Sequence, residues 1–369
     1  MPADSAPTGA DERLKTEPFL ARLMKRPELG AIAGVVLVTV FFLIVADPAM
    51  FTLAGVLNFL SPAAQLGILA IGAAMLMVGG EFDLSVGSMV AFAGLVFGAC
   101  VVTFGMPLIL AIPLTLAFAA LCGAFNGQIV LKTGLPSFIV TLAFLFIYRG
   151  LSLVGLKWAT DGSTQLRGVR DAVEGDVLAP LFSGDAFPGL FVMLAEAGLI
   201  DTFKNGMPKV QGIPVEILWF IAVALVATYI LLKTAAGNWI FASGGDATAA
   251  SNSGVPVRRV KLTLFMFTAA CAALVAIITV LDSGSTDARR GFQKEFEAII
   301  AAVIGGCLLT GGYGSAIGAF FGAIIFGMVL IGLTYTNIDQ DWYLVFLGGM
   351  LLIAVLFNNM IRKRVTGER

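Results

Sequence analysis

Apolar runs long enough to cross a lipid bilayer alternate along this chain with short polar or glycine-rich turns. Because a membrane-spanning helix needs about 20 predominantly apolar residues, each run is a candidate span. The ten runs lie at residues 29–46, 63–80, 86–104, 107–125, 136–154, 215–232, 262–281, 296–309, 316–334 and 342–357. We therefore predict an all-α polytopic membrane protein with about ten transmembrane helices, some of them broken or re-entrant.

The composition supports this fold class and removes several kinds of chemistry. Hydrophobic residues make up 58% of the 369 residues and charged residues only 13%, and there is no histidine. A histidine-ligated zinc site, a histidine-based catalytic triad and a histidine proton relay are therefore excluded. The four cysteines lie in apolar runs without C-x-x-C spacing, which predicts small core residues rather than metal ligands. Nothing indicates nucleic-acid binding.

The polar segments predict the organisation and the topology. Residues 1–28 form an N-terminal tail, 29–361 a transmembrane domain and 362–369 a C-terminal tail. Within the domain, 157–211 is a long loop that is too polar to span, and 237–261 is a shorter basic loop. An even number of spans places both termini on one side, and Lys and Arg in the short loops mark that side as cytoplasmic. The 157–211 loop is then external, and its Phe187 to Phe203 stretch has an amphipathic pattern.

Two carboxylates interrupt the apolar pattern in the stretch GGEFDLSVGS, residues 79–88. Lipid cannot satisfy the charges of Glu81 and Asp83, so these side chains must face protein or water. The paired glycines allow the backbone to break there. We expect Glu81, Asp83 and the neighbouring Ser85 to lie near a translocation path or gate.

The loop 237–261 contains the signals of a short capped helix. Asp246 is a candidate N-cap after Gly244 and Gly245, the small residues that follow fill the helix, and Gly254 with Pro256 ends it. A small, smooth helix between two spans suits docking against a soluble partner. The alternative is an ordinary turn whose basic residues anchor lipid headgroups.

A third stretch, residues 294–335, echoes the first. An Ala-rich segment is followed by GGCLLTGGYGS and another apolar run, as GGEFDLSVGS is. Two explanations stay open, because an internal repeat and a chance match of Gly- and Ala-rich segments both produce such an echo.

These stretches, together with NGQIVLKTGLPSFIVTLAFLFIYRG (126–150), resemble the signature regions of the inner-membrane permeases of bacterial ABC importers for simple sugars, the ribose and xylose type. The resemblance extends from the first span to the last, in the family's order. This sequence departs from it in the longer 157–211 loop and in a Glu inserted in the common GG-I-DLSVGS form. The first departure bears on docking of an external binding protein, and the second on the polarity of the pore.

The resemblance implies the function and the partners. It implies a multi-pass protein of the bacterial inner membrane that contacts lipid, pairs with a second permease subunit, and receives a small-molecule substrate from a periplasmic solute-binding protein. A cytoplasmic ABC ATPase would hold the ATP, since this chain lacks G-x-x-x-x-G-K-[ST] and no cofactor of its own is expected.

The resemblance also assigns residues to these roles. The coupling loop that meets the ATPase would be formed by Gly244, Gly245, Asp246, Ala249, Ala250, Ser253 and Gly254. The substrate path, or the structure that holds it, would involve Glu81, Asp83, Ser85, Asn126, Glu295 and Glu297. For each path residue, helix capping or interhelical hydrogen bonding is the alternative to contact with the ligand.

Other functions also stay open at this stage. The same fold carries nucleosides, polyols, a furanosyl signalling molecule or branched-chain amino acids. From another class, an ion-coupled secondary transporter or a channel would use the acidic residues as ion sites. A membrane enzyme is disfavoured because the sequence contains no recognisable motif that combines a nucleophile, a base and a group that orients the base.

Overall fold

The computed structural model describes residues 27–366, and helices make up most of this range. Residues 1–26 of the predicted N-terminal tail and 367–369 of the C-terminal tail lie outside the described residues. The helices are α1 (Pro27–Val45), α2 (Leu53–Val78), α3 (Val86–Gly98), α4 (Leu108–Thr133), α5 (Ser137–Ala159), α6 (Val169–Ala172), α7 (Pro188–Glu196), α8 (Val215–Lys233), α9 (Ala235–Gly245), α10 (Ala247–Asn252), α11 (Val257–Ser283), α12 (Lys294–Ile304), α13 (Ala316–Gly332) and α14 (Trp342–Thr366).

Eight helical segments within the described range are long and apolar enough to cross a bilayer, which confirms the all-α polytopic fold. They correspond to eight of the ten predicted runs, and α3 reaches full length through a π-helical turn at Ala99–Thr103. The other two predicted runs form apolar helical segments that are too short to count as full spans. α12 has 11 residues because it ends before Gly305, and the apolar part of α14 covers Trp342–Ile353.

α2 occupies the centre of the molecule. It packs against α8, α11, α12 and α13, and most of its C-terminal two-thirds is buried. Small residues permit the close contacts: a Cβ on Gly67 would collide with the Phe220 ring of α8, and one on Gly327 of α13 would collide with the Phe59 carbonyl oxygen. α1 packs mainly on α13 and exposes most of its apolar side chains, as expected of a helix that faces lipid.

The 157–211 segment is a compact cap rather than an extended connection. Strand β1 (Gln165–Arg167) pairs antiparallel with β4 (Ser285–Asp287), which follows α11, in the register Leu166 opposite Thr286. Strand β2 (Asp185–Ala186) pairs with β3 (Ile213–Pro214), which leads directly into α8. The predicted amphipathic stretch forms α7, which stops at Glu196. The two ladders tie the first part and the middle of the segment to the end of α11 and the start of α8, respectively.

Helices α2 and α12 end with the same hydrogen-bond pattern. Glu81 N–H donates to the Leu76 carbonyl and Gly80 N–H to Met77, as Cys307 donates to Ala302 and Gly306 to Val303. Gly80 and Gly306 have φ values of +82° and +90°, which only glycine adopts easily. Both echoing motifs therefore end a helix by a Schellman turn and start another helix, α3 or α13, after a short break. The two motifs therefore share a local geometry, which both an internal repeat and a chance match allow.

Candidate functional site

A buried hydrogen-bond chain crosses three helices at the first break, residues 79–85. Tyr148 OH donates to Asn126 Oδ1 (2.7 Å), and Asn126 Nδ2 donates to Ser85 Oγ (3.0 Å). Ser85 in turn donates to Asp83 Oδ1 from its hydroxyl (2.6 Å) and its backbone N–H (2.8 Å). All four residues are buried. The structure thus brings together three of the residues that the sequence analysis singled out, Asp83, Ser85 and Asn126, and their polar groups join the start of α3 to α4 and α5.

The backbone of this break is held by side chains of α5. Ser137 Oγ accepts from the N–H of Phe82, and Thr141 Oγ1 accepts from the N–H of Leu84, both at 3.0 Å. Sequence reasoning missed these hydroxyls and Tyr148. The available signal was their spacing of four and seven residues, which places Ser137, Thr141 and Tyr148 on one face of a helix. Buried donors are thereby satisfied where the helix is broken.

Glu81 lies apart from the hydrogen-bond chain and pairs with a different helix. Its carboxylate accepts from Lys261 Nζ of α11 at 2.5 Å, and both side chains are largely buried. Lys261 lies in the basic cluster that closes the 237–261 loop. The ion pair therefore links the first break to the loop rather than placing Glu81 beside Asp83.

Glu295 and Glu297 lie on the first turn of α12. A Cβ on Gly87 of α3 would collide with the Glu295 carboxylate, and Glu295 Oε2 is buried without a hydrogen-bond partner among the described residues. Glu297 instead pairs with Lys294 at 2.5 Å. The structure thus places Glu295 against the start of α3, close in sequence to Ser85, whereas Glu297 makes a local ion pair.

The predicted short helix is present in the loop as α10. The Asp246 carboxylate caps it by accepting from the N–H groups of Thr248 and Ala249, both at 2.9 Å. Gly254 ends the turn with φ +87°. Five of the predicted docking residues are exposed: Gly245, Asp246, Ala249, Ser253 and Gly254. Gly244 is half-buried and Ala250 is buried, so both are oriented toward the rest of this chain.

Three glycines bring the loop and both breaks into backbone contact, and we call Gly80, Gly244 and Gly311 the glycine junction. A Cβ on Gly311 would lie 2.7 Å from both the Gly244 carbonyl oxygen and the Gly80 Cα. Beside them, Gly312 N–H donates to the Val78 carbonyl (2.9 Å). Real Cβ atoms do not approach backbone this closely, so no side chain fits between the three segments. The loop and both breaks are therefore in direct backbone contact.

These features define a polytopic α-helical membrane protein in which a buried polar network lies at the first break and Gly244 of one loop contacts the backbone of both breaks. Comparison with known sequences gives the family. The model of the branched-chain amino acid transport system / permease component family matches residues 55–355, and the chain belongs to this family. It is thus a multi-pass inner-membrane permease rather than a catalytic subunit, and its family works with a separate ATPase and a solute-binding protein.

Curated relatives match over nearly the whole chain. The xylose transport system permease protein XylH of Escherichia coli strain K12 is 31% identical over 361 residues, covering 90% of this chain and 92% of the relative. The ribose import permease protein RbsC of Haemophilus influenzae is 30% identical, covering 89% and 92%. The inner membrane ABC transporter permease protein YjfF of Escherichia coli is 29% identical, covering 88% of each. These matches confirm the predicted family resemblance. No solved structure gives a significant match.

Proposed function

We propose that this chain is the permease subunit of an ABC importer that carries a monosaccharide across the inner membrane. Two relatives that match about 90% of the chain are named for xylose and ribose transport, which favours a pentose over the amino acids in the family's description. A periplasmic binding protein delivers the sugar, and ATP is hydrolysed on a separate cytoplasmic subunit. Two permease subunits form the path between them, with both termini of each in the cytoplasm.

The glycine junction is the observation that supports this mechanism most directly. The exposed surface of α10 is small and polar enough to meet a soluble ATPase, while Gly244, at the other side of the same loop, contacts both breaks. A push on α10 moves both breaks together, because backbone packed on backbone has no flexible side chain to absorb the movement. The Glu81–Lys261 ion pair adds a second link between the first break and the loop.

The transport function is tested with the purified importer in proteoliposomes. Wild-type chain with its cognate ATPase and binding protein should accumulate radiolabelled D-xylose or D-ribose only when ATP is supplied, and L-leucine should not accumulate. The chain reconstituted alone should conduct none of them. Leucine uptake, or uptake driven by an ion gradient without ATP, would contradict the proposal.

The role of the glycine junction is tested by two substitutions of glycine by alanine. A Cβ on Gly244 would collide with the Val78 carbonyl oxygen, whereas nothing lies within 4 Å of the corresponding Cβ position on Gly348 of α14. Gly244→Ala should therefore uncouple the importer, reducing ATP-driven uptake at least tenfold while ATPase binding persists. Gly348→Ala is the control, because Gly348 lies outside the 237–261 loop, and this variant should transport normally. Equal uptake by both variants would show that the junction does not transmit motion.

The docking surface is probed separately from the junction. Ala249 is exposed on α10, so Ala249→Arg should weaken ATPase binding without unfolding the permease. Binding is measured by co-purification of the ATPase with the permease. If the Ala249→Arg permease co-purifies with as much ATPase as the wild type does, the exposed surface of α10 is not the docking surface.

A further inference from the structure

The segment between β4 and α12 runs back from the β1–β4 ladder alongside α5, a candidate membrane span. Arg149 lies twelve residues into α5, about 18 Å from its start at 1.5 Å per residue. Its guanidinium donates to the carbonyls of Ala288 (3.0 Å) and Arg290 (2.8 Å). Because a side chain near the middle of a spanning helix reaches these carbonyls, the segment lies within the span, and α12 begins there.

Polar and aromatic side chains are exposed together where this segment turns into α12. We call Arg289, Phe292, Gln293 and Phe296 the α12 entry face; Phe292 is 55% exposed and Phe296 48%. At this depth, lipid cannot satisfy a guanidinium or an amide. The face is therefore turned toward water or protein, unlike the apolar exposed side chains of α1.

The geometry of this face is fixed by its neighbours. The Phe292 ring lies between two guanidinium groups, with the Cζ atoms of Arg149 and Arg289 each 5.9 Å from its centroid. Gln293 has φ +64°, a left-handed backbone conformation that is uncommon for residues other than glycine. Such backbone positions concentrate at functional sites because they aim a side chain where a regular helix would not.

We propose that the α12 entry face is a transient contact site for the substrate of the permease, a neutral polyhydroxylated solute such as a pentose. An aromatic ring packs against the C–H face of a sugar ring, and the amide and guanidinium groups hydrogen-bond its hydroxyls. A few polar groups around an apolar surface are what a weak, transient ligand site requires. This inference rests on the proposed sugar transport and assigns it to residues that the sequence motifs did not indicate.

The first test is a pair of substitutions to glycine. Gln293→Gly removes the amide but suits the left-handed backbone, so the variant should fold at least as well as wild type. ATP-driven uptake of D-xylose or D-ribose, whichever the wild type carries, should fall at least tenfold, with ATPase activity and thermal unfolding in detergent unchanged. Asp161→Gly is the matched control, since Asp161 also has positive φ (+51°) but lies in the external segment. Its uptake should equal that of wild type.

The second test measures access without measuring transport. In the assembled importer, the thiol of Phe296→Cys should react with a water-soluble methanethiosulfonate, and D-xylose or D-ribose during turnover should slow the reaction at least threefold. Leu225→Cys, exposed on the apolar surface of α8, should not react.

The outcomes separate this inference from the proposed function. If wild type imports no sugar, the proposed function fails. If wild type imports sugar but the Gln293→Gly variant imports it equally well, the α12 entry face does not contact the substrate. The same conclusion follows if sugar does not protect the thiol of Phe296→Cys from the reagent. A third outcome would also overturn the inference. If two Phe296→Cys chains form a disulfide with each other, and the thiol fails to react with the reagent both with and without sugar, Phe296 lies in a contact between two permease subunits instead.

Discussion

The two breaks of this permease begin with the same helix-ending turn and differ in the contacts that hold the rest of the break. Each follows a helix that ends in a Schellman turn, at Gly80 or Gly306, and each leads into a new helix. Beyond the glycine junction, which both breaks share, the first break is held by side chains: the hydrogen-bond chain to Asp83 and the ion pair of Glu81. The second, residues 305–315, is held by backbone packing, since a Cβ on Gly318 would collide with the Gly305 carbonyl oxygen.

This difference predicts which mutations each break tolerates. A hydrogen-bonded break fails when a buried donor or acceptor loses its partner, which costs about 1–3 kcal/mol per group. A backbone-packed break fails when any Cβ is added, because carbonyl groups cannot rotate aside. The second break should therefore be the more sensitive to small apolar substitutions and the first to loss of polarity.

The largest effect is expected for Gly318→Ala. The added methyl group meets the Gly305 backbone and should lower the free energy of unfolding by about 3 kcal/mol, despite the better helix propensity of alanine. Thermal unfolding of the purified complex in detergent measures the change. Gly348→Ala on α14 is the control, because nothing lies within 4 Å of that Cβ position. Similar destabilisation by both variants would show that the second break is not held by close backbone contact.

An intermediate effect is expected for Asp83→Ala at the first break. The change leaves the Ser85 hydroxyl and N–H buried without their acceptor and should cost about 2 kcal/mol. Uptake should fall with stability, because the same chain holds Asn126 and Tyr148 in place. Ser88→Ala is the control, since among the described residues the Ser88 hydroxyl bonds only within its own turn, to the Ser85 carbonyl. An Asp83→Ala permease as stable as Ser88→Ala would refute a supporting role for the chain.

The positions of both breaks could be predicted from the sequence, because charged residues and paired glycines inside an apolar run indicate that the helix is interrupted there. The motifs at residues 79–88 and 305–315, the cap Asp246 and the helix after it follow from local rules about helix ends, and the structure contains them. The run at 296–309 predicts a helix, but the structure ends α12 at Ile304, since hydrophobicity alone does not distinguish a spanning helix from half of one.

The partners of the polar residues could not be predicted in this way. Glu81 is joined to Lys261 across 180 residues, and Arg149 to carbonyls some 140 residues away. Such pairs depend on which helix faces are brought together, which the spacing within one segment does not determine. The same limit applies to Ala250, whose size suits a docking surface but which lies on the buried side of α10.

The smallest effect concerns Glu81, the residue inserted relative to the common motif. Its ion pair with Lys261 is largely buried, so a double-mutant cycle with Glu81→Gln and Lys261→Met should give a coupling energy of about 1.5 kcal/mol in thermal unfolding. The control cycle is the exposed pair Asp201 and Lys209, separated by 3.2 Å, which should give a coupling near zero because solvent screens it. The pair joins the first break to the 237–261 loop, for which we propose contact with the ATPase, so the Glu81→Gln variant should also transport more slowly per ATP hydrolysed. Equal coupling in the two cycles would mean that the glycine junction alone links the loop to the first break.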